Sequence, residues 1–265
     1  MLASAVLTPS ESKKLISKAV LSMPEVQNAL KNGYLVIHPC STAVFMYEEL
    51  TGCLPEGAWV FGYVGPQGTG RSLEAIRSIA LEKQGIPARK QWIFYKGVLQ
   101  EARPLAQVLE EMKEGDVFIK GANAMDPQGN VAVLTPSPKA GGTTGKIVKA
   151  ARDKKFTIII PVGVEKLIPT DLSEVISFIG QETPDYALGL PCGLMQGDGI
   201  KVDERDALRI LAGVESVVGS CGGIDGAEGA VTLFFKGDDH AVASAMELLK
   251  GIKGATLPKL AHDPV

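Results

Sequence analysis

Short, continuous apolar runs separated by helical segments are the feature of this sequence that most constrains its fold. Such runs occur at residues 34–38, 117–119 and 156–161, and each has the length of a buried strand. Segments with apolar residues at helical spacing separate them. Because strands that are apolar on both faces belong to parallel sheets covered by helices, the pattern predicts an α/β fold: a three-layer, mainly parallel sheet with helices on both faces.

The remaining elements follow from the same patterns and from capping residues. Further strands are predicted at residues 59–64, 91–95 and 131–134. The first helix is predicted to begin at Ser10, and later helices are predicted at residues 24–32, 41–50, 105–112, 143–152 and 172–178.

The pattern changes after a glycine- and proline-rich segment at residues 180–199. Helix, strand, glycine-rich turn, strand and helix then follow one another, with the helices at residues 203–212 and 240–252. This order predicts a small α+β unit. The predicted organisation is therefore an α/β domain over residues 1–200, a small α+β domain over residues 201–254, and a poorly ordered tail over residues 255–265.

Charge and composition argue against several classes of partner. The net charge of −3 gives no general positive field for a nucleic acid. The longest apolar run is far shorter than the roughly 20 residues that span a bilayer, and the first lysines, Lys13 and Lys14, follow the apolar start of the chain instead of preceding it. Four widely separated cysteines lack metal-ligand spacing. We expect no metal site, no membrane partner and a cytoplasmic location.

Two glycine-containing loops indicate a ligand pocket. Gly121-Ala-Asn-Ala-Met-Asp126 and Lys139-Ala-Gly-Gly-Thr-Thr-Gly-Lys146 each lie close to an apolar run. A backbone that approaches a ligand needs small residues, and a helix that begins in the second loop would direct free N–H groups and a cation at an anion. The sequence therefore predicts a pocket for a small anionic metabolite that is phosphorylated, carboxylated or of the CoA type. It does not identify a cofactor.

We assign each loop residue a role in this predicted pocket. Lysines neutralise ligand charge, glycines and threonines offer N–H or hydroxyl donors, and the asparagine and aspartate orient polar groups. The predicted ligand-binding residues are Ser41, Thr42, Gly121, Asn123, Lys139, Gly141, Gly142, Thr143, Thr144 and Lys146, with Asp126 beside them.

The order of these motifs resembles a known superfamily. Lys120-Gly-Ala-Asn-Ala-Met-Asp126 followed by Lys139-Ala-Gly-Gly142 resembles the ribose-5-phosphate isomerase, glucosamine-6-phosphate deaminase and CoA-transferase superfamily. The Gly-Ala-Asn-Ala stretch, the later Gly-Gly-Thr and residues 158–166 are similar to its lactate-utilisation-type domains. His38-Pro-Cys-Ser-Thr42 lies where the superfamily has a loop after its first strand. The resemblance covers residues 30–170 and implies a transferase or isomerase-like reaction.

The chain departs from the sugar isomerases at the residues that carry their reaction. Their Gly-Ala-Asp-Glu-x-Asp motif is changed here, because Asn123 and Ala124 replace its first two acids and only Asp126 remains. Proton abstraction beside a carbonyl needs a carboxylate within reach, and the family's later glutamate corresponds to Val148. We expect Asp126 or Glu165 to be the acid/base if catalysis occurs. A Glu-Lys pair such as Glu165-Lys166 at a strand end is more often part of a solvated or salt-bridged loop, which is the alternative to catalysis.

Two other motifs admit both a functional and a structural interpretation. Residues 65–72 have the glycine spacing of a P-loop, but Arg71 occupies the position of its lysine, so a surface turn is the alternative. Cys40 precedes a predicted helix and lies two residues from His38, which is consistent with a nucleophile or with a buried thiol.

A further hypothesis is a non-catalytic sensor or a component of a homo-oligomeric assembly. It rests on the missing isomerase acids and on the C-terminal strands, which offer an edge or face to a second copy.

Overall fold

The computed structural model of the protein describes residues 1–55, 60–86, 88, 90–180 and 182–258. Its helices are α1 Pro9–Ser22, α2 Pro24–Asn32, α3 Ser41–Thr51, α4 Leu73–Lys83, α5 Leu105–Glu111, α6 Gly142–Lys154, α7 Leu172–Ile179, α8 Glu204–Ala212 and α9 Asp239–Ile252. Its strands are β1 Leu2–Leu7, β2 Tyr34–Ile37, β3 Gly62–Gly65, β4 Gly68–Arg71, β5 Trp92–Tyr95, β6 Val98–Leu99, β7 Val117–Ile119, β8 Ala124–Met125, β9 Val131–Thr135, β10 Thr157–Pro161, β11 Gly193–Gln196, β12 Ile200–Val202, β13 Glu215–Cys221 and β14 Val231–Lys236.

A six-stranded mixed sheet forms the centre of the fold, in the order β12-β10-β7-β2-β5-β6. Strands β2, β7, β10 and β12 run parallel. Phe118 of β7 lies opposite Val36 of β2 on one side and opposite Ile158 of β10 on the other. The predicted α/β class and parallel strands are confirmed. The predicted three-layer arrangement stays a prediction.

One edge of this sheet is antiparallel, which the sequence did not indicate. Strand β5 pairs antiparallel with β2, and β6 pairs antiparallel with β5. Lys96 and Gly97 join β5 to β6 and both have positive φ, at 48° and 78°. A two-residue turn with this geometry connects only antiparallel strands.

Two predicted strands belong outside the central sheet. Strand β9 pairs antiparallel with β8 and β11 in a separate three-stranded sheet. The short connection from β8 to β9 is held by the Asp126 carboxylate, which accepts a hydrogen bond from the Asn130 backbone N–H at 2.8 Å. The strand predicted at residues 59–64 is instead β3, which begins at Gly62, and residue 59 lies outside the described residues.

The glycine stretch with P-loop spacing forms a β-hairpin, which corrects the P-loop interpretation. Strands β3 and β4 pair from Gly62 opposite Arg71 to Gly65 opposite Gly68. A Cβ added to Gly70 would lie 2.6 Å from the Tyr63 ring, so this glycine allows a side chain to pack over the hairpin. A P-loop needs a loop directly between a strand and a helix, and a second strand occupies that position here.

The first and last parts of the chain meet in one sheet, in the order β1-β14-β13. Leu2 lies opposite Lys236, and Leu7 lies opposite Val231. In β1 the side chains of Leu2 and Val6 are exposed, so apolar residues lie on both faces of the strand. The sequence of β1 therefore lacks the usual alternation of apolar and polar residues. The predicted boundary near residue 200 stays a prediction, and β1 extends the predicted C-terminal unit.

Helix positions agree closely with their predicted ranges, because caps mark their ends. Helix α1 begins with a capping box in which Thr8 and Glu11 bond each other's backbone N–H groups, and α3 ends at Gly52 with φ of 75°. The buried hydrophobic core joins residues from Leu7 to Ile252. No helix in the described ranges has the length and apolar character needed to cross a membrane.

Candidate functional site

Ionisable residues follow all four parallel strands of the central sheet. Parallel strands have their carboxyl ends at the same edge, and ligands of such sheets bind there. We use the name carboxyl-edge cluster for six ionisable residues that lie just beyond these strand ends. They are His38 and Cys40 after β2, Lys120 after β7, Glu165 and Lys166 after β10, and Glu204 after β12.

Cys40 lies in this cluster at the start of α3. Its backbone is extended, with φ of −147° and ψ of 171°, and its side chain does not cap the helix. The thiol packs against Gly121, where an added Cβ would lie 3.0 Å from Sγ. Both Lys120 and Lys166 interact electrostatically with Cys40. The glycine that the sequence assigned to ligand approach therefore makes room for a thiol near two lysines.

Lys120 is a half-buried cation without a carboxylate partner. It forms no salt bridge with any residue that the structure describes. Loss of hydration lowers the pKa of its ammonium group to about 8, the Cys40 thiol acts in the opposite direction, and the Lys166 charge lowers the pKa further. At neutral pH this lysine therefore releases its proton more readily than a lysine in water.

Lys13 and Lys166, on the other side of the cluster, each bind a different polar partner. The Lys13 ammonium pairs with the Glu165 carboxylate at 2.8 Å, and the two side chains are 10% and 13% exposed. The Lys166 ammonium donates a hydrogen bond to the Ala122 carbonyl oxygen at 2.8 Å instead. Burial lowers the pKa of Lys166, although the Glu165 charge opposes this shift. The Glu165 carboxylate thus neutralises Lys13, while Lys166 keeps its charge without a salt bridge to a described residue.

Glu204 and Glu165 are two buried carboxyl groups that interact with each other. Glu204 Oε2 accepts a hydrogen bond from the Val164 backbone N–H at 2.9 Å, whereas Glu204 Oε1 and Glu165 Oε2 are buried with no hydrogen-bond partner among the described residues. Burial, and next the Glu165 charge, raise the pKa of Glu204 to about 7. Glu204 therefore gains or loses its proton near neutral pH.

His38 is buried beside these groups and is 7% exposed. Its Nδ1 atom has no hydrogen-bond partner among the described residues. Burial, and then the charges of Lys120 and Lys90, hold the pKa of His38 well below its usual value. The imidazole is therefore neutral at physiological pH and adds no positive charge.

A narrow recess opens beside Lys120, between the sheet edge and the first turns of α6. Its wall is almost wholly apolar, and its volume of about 10 Å³ has room for about one water molecule. Its lining residues are Lys120, Gly121, Val133, Thr144, Ile147, Val148, Ile158, Ile160, Gly197 and Asp198. The recess brings together two of the sequence-predicted site residues, Gly121 and Thr144, with a lysine that the sequence interpretation did not select.

The glycines of the second predicted loop are packing residues in the structure. Gly141 and Gly142 have φ of 68° and 52°. An added Cβ on Gly141 would lie 2.9 Å from the Met195 sulfur, and one on Gly142 would lie 2.9 Å from the Thr135 hydroxyl. These glycines therefore bring the start of α6 close to β9 and β11. Thr143 is half-buried in the first turn, and Lys139 and Lys146 are exposed near it.

Asn123 and Asp126 hold the small sheet together. Asn123 Oδ1 accepts a hydrogen bond from the Leu134 backbone N–H at 3.1 Å. The buried Asp126 carboxylate accepts bonds from the backbone N–H groups of Asn130 at 2.8 Å and Leu172 at 3.2 Å. Its pKa is lowered, because these and other hydrogen bonds outweigh the effect of burial. The geometry gives both residues structural roles, and the predicted acid/base role of Asp126 gains no support from it.

Ser41 and Thr42 occupy the first turn of α3, next to Cys40. Ser41 is half-buried and Thr42 is buried. The Thr42 carbonyl oxygen accepts a hydrogen bond from the Ser17 hydroxyl at 2.8 Å, which fastens α3 to α1. Ser41 therefore lies beside the cluster, and Thr42 serves packing between helices.

The sequence interpretation missed the four groups that dominate the electrostatics of the cluster: Lys13, Lys120, Lys166 and Glu204. Lys120 and Lys166 carried a usable signal, because a charged residue directly or shortly after a buried strand marks the carboxyl edge. Glu204 carried none, since β12 before it was not predicted. Lys120 follows residues 117–119 at once. Lys13 carried no such signal, since it lies in α1 and reaches Glu165 across 152 positions of sequence.

Comparisons of the chain with protein-family models, curated proteins and solved structures gave no match. The resemblance to the isomerase and CoA-transferase superfamily therefore stays a prediction.

Proposed function

We propose that the protein binds a small anionic metabolite at the carboxyl edge of the parallel strands, beside Lys120. The observation that carries this proposal is the pair of lysines, Lys120 and Lys166, whose ammonium groups lose hydration and form no salt bridge with a described residue. The nearby Glu165 carboxylate is taken up by Lys13 at 2.8 Å. The cluster thus retains positive charge that a ligand can neutralise.

The energetics favour a bound anion. Removing an ammonium group from water costs several kcal/mol unless a partner compensates it. A carboxylate or phosphate bound at the carboxyl edge supplies that partner for Lys120. The first amides of a helix have no intrahelical acceptor, so the start of α6 adds donors near Lys120, which shares the lining of the recess with Thr144. The exposed Lys139 and Lys146 raise the local concentration of anions near this end of α6.

The apolar surroundings of Lys120 narrow the ligand class. Neighbouring valine and isoleucine side chains favour a ligand with a short apolar part beside the anionic group. Phosphorylated, carboxylated and CoA-type metabolites all carry the required charge. The transferase or isomerase-like reaction that the resemblance implies stays a prediction. The proposed position of the site also assumes the predicted three-layer arrangement of sheet and helices.

Calorimetric titration of the full chain tests the proposal. The probes are inorganic phosphate, a sugar phosphate, a CoA thioester and short carboxylates, at low ionic strength. We expect at least one probe to bind more tightly than the millimolar range. Lys120→Met, which removes the charge and keeps most of the side-chain volume, should weaken that binding about tenfold or more, because it removes a desolvated charge-assisted contact.

Two other lysines of α6 serve as comparisons. Lys146→Met should weaken binding only a few-fold, since an exposed charge is screened by solvent. Lys149→Met changes an exposed lysine one turn further from the start of α6 and should leave binding unchanged. Loss of binding in Lys146→Met together with full binding in Lys120→Met would move the site to the surface loop and overturn the proposed position. Absence of binding by every probe would refute the function.

Assembly of several copies is the second candidate function. In the sheet β1-β14-β13, the outward face exposes Leu2, Val6, Val217 and Phe234. Val217 lies directly opposite Phe234, so two of these apolar side chains are neighbours across the strands. Neighbouring exposed apolar side chains of this kind are typical of contact with another protein surface. A second copy of the chain is the occupant that this candidate proposes.

A further inference from the structure

We infer that Glu204 and Glu165 share one proton, held as an O–H hydrogen bond from Glu204 Oε1 to Glu165 Oε2, and that this bond fastens α8 to the segment after β10. We call these two carboxyl groups with their proton the shared-proton pair. Loss of the proton above neutral pH separates α8 from that segment. The inference does not depend on the proposed ligand.

The two carboxyl groups lie against one peptide group. Glu204 Oε2 accepts a hydrogen bond from the Val164 backbone N–H at 2.9 Å. The Glu165 side chain folds back towards the same peptide, because a Cβ added to Gly163 would overlap Glu165 Oε2. A side chain at position 163 would therefore displace this carboxylate. Both groups thus contact the Gly163–Val164 peptide, just beyond the carboxyl end of β10.

Hydrogen-bond partners indicate where the proton lies. Of the four carboxyl oxygens, Glu165 Oε1 accepts a bond from Lys13 Nζ at 2.8 Å, and Glu204 Oε2 accepts the bond from Val164. Glu165 Oε2 and Glu204 Oε1 are buried with no partner among the described residues. Two ionised carboxylates would leave both oxygens unsatisfied, since each can only accept. A proton on Glu204 turns it into a donor, and one hydrogen bond then satisfies both oxygens.

The charges within the pair also fit a single proton. The Lys13 ammonium forms a salt bridge with Glu165, whereas the Glu204 side chain forms none with a described residue. Two ionised carboxylates beside one lysine would leave a net negative charge in a buried place, which is costly. With one proton present, the two carboxyl groups and the lysine are neutral together.

The other charged groups that interact with Glu204 have partners of their own. The Lys166 ammonium is bonded to the Ala122 carbonyl oxygen at 2.8 Å. The Arg205 guanidinium pairs with Asp203 at 2.6 Å. Neither cation is thus in a salt bridge with Glu204, and neither replaces the proton as its partner.

Burial sets the pH at which the pair loses its proton. Burial, and next the Glu165 charge, raise the pKa of Glu204 to about 7, although hydrogen bonds from the Val164 N–H and from the Ser12 hydroxyl of α1 oppose the shift. The proton is therefore held below pH 7 and lost as the pH rises through it. Two negative charges then repel each other, which weakens the contact between α8 and residues 163–166.

This contact joins distant parts of the chain. Glu204 is the first residue of α8, and Glu165 lies directly before Lys166 of the proposed anion site. Proton loss should therefore also alter the position of Lys166. That consequence rests on the proposed function, whereas the test below uses no ligand, so the two can fail separately.

Infrared difference spectra of the full chain between pH 6 and pH 8.5 test the shared proton. We expect wild type to lose one carboxylic-acid carbonyl band as the pH rises, and Glu204→Gln to lack this band. Glu165→Gln removes the like charge, so the band should disappear at a pH lower by about one unit or more. Glu174→Gln, at an exposed glutamate of α7, should titrate as wild type does.

Amide hydrogen exchange tests the separation of α8. After correction for the intrinsic effect of pH, we expect residues 163–166 and the first turn of α8 to lose protection about tenfold between pH 6 and pH 8.5 in wild type. Glu204→Gln should show equal protection at both values. Unchanged protection in wild type would overturn the separation.

Three spectroscopic outcomes would overturn the shared proton. They are the absence of an acid band from wild type at pH 6, a band that survives in Glu204→Gln, and a midpoint that moves in Ser12→Ala but not in Glu165→Gln. The last outcome would assign the partner of Glu204 to the serine hydroxyl. Each variant must keep the near-ultraviolet circular dichroism of wild type. If Glu204→Gln does not, the midpoint shift in Glu165→Gln decides the question.

Discussion

Single residues of the carboxyl-edge cluster show how burial prepares charged groups for chemistry near neutral pH. Burial disfavours the charged form of both Lys120 and Glu204. It therefore lowers the pKa of Lys120 to about 8 and raises the pKa of Glu204 to about 7. Strongly shifted groups concentrate at functional sites. The two residues follow different parallel strands, so the fold itself collects them at one edge.

The Glu204 carboxyl group makes stability depend on pH. Its pKa is raised from 4.5 to about 7, so its favourable contribution is fully present below pH 4.5 and is lost as the pH rises through 7. Glu204→Gln removes this loss and keeps an oxygen for the Val164 N–H. We expect the unfolding free energy of the variant, relative to wild type, to rise by about 2 to 3 kcal/mol between pH 5 and pH 8.5. Urea unfolding at both values measures it.

Glu174→Gln is the matched control for this measurement. Glu174 also lies in the first turn of a helix, but its side chain is exposed. We expect this variant to differ from wild type by the same amount at both pH values. If the Glu204→Gln difference were also constant with pH, the account of buried, interacting carboxyl groups would be wrong.

At the scale of elements, the outward face of the sheet β1-β14-β13 decides the assembly hypothesis. Truncation near residue 200 would leave β1 without its partner β14, so substitutions on the face are the sharper test. We expect Val217→Ser with Phe234→Ser to convert any dimer of the full chain to monomer in light scattering, because two neighbouring apolar side chains leave the interface. Phe178→Ser, at an exposed phenylalanine of α7, should change nothing. A monomeric wild-type chain would remove the hypothesis.

Elements differed in how well the sequence predicted them. Helices were found where caps define their ends, as at Pro24 and Gly52. The parallel strands β2, β7 and β10 were found because they are apolar along their whole length. Strands β1 and β12 were missed for two reasons: β1 exposes Leu2 and Val6, and β12 has only three residues and includes Lys201. Neither presents the periodic signal of a half-buried strand.

At the scale of the whole molecule, the site depends on contacts between distant parts of the chain. The loops after β2 and β7 were predictable, since a loop after a buried strand marks an edge. The contact of Lys13 in α1 with Glu165 and the position of Glu204 beside it arise only when α1, β10 and α8 pack together. Local patterns carry no information on such tertiary pairings, so the sequence placed the anion site at exposed lysines instead.

The location of a bound anion tests the central claim most directly. A crystal structure of the full chain grown with pyruvate or phosphate would give it without reference to activity. We expect the anion at the carboxyl edge of the parallel strands, about 3 Å from Lys120 Nζ. An anion held instead by the exposed Lys139 or Lys146, away from Lys120, would contradict the account.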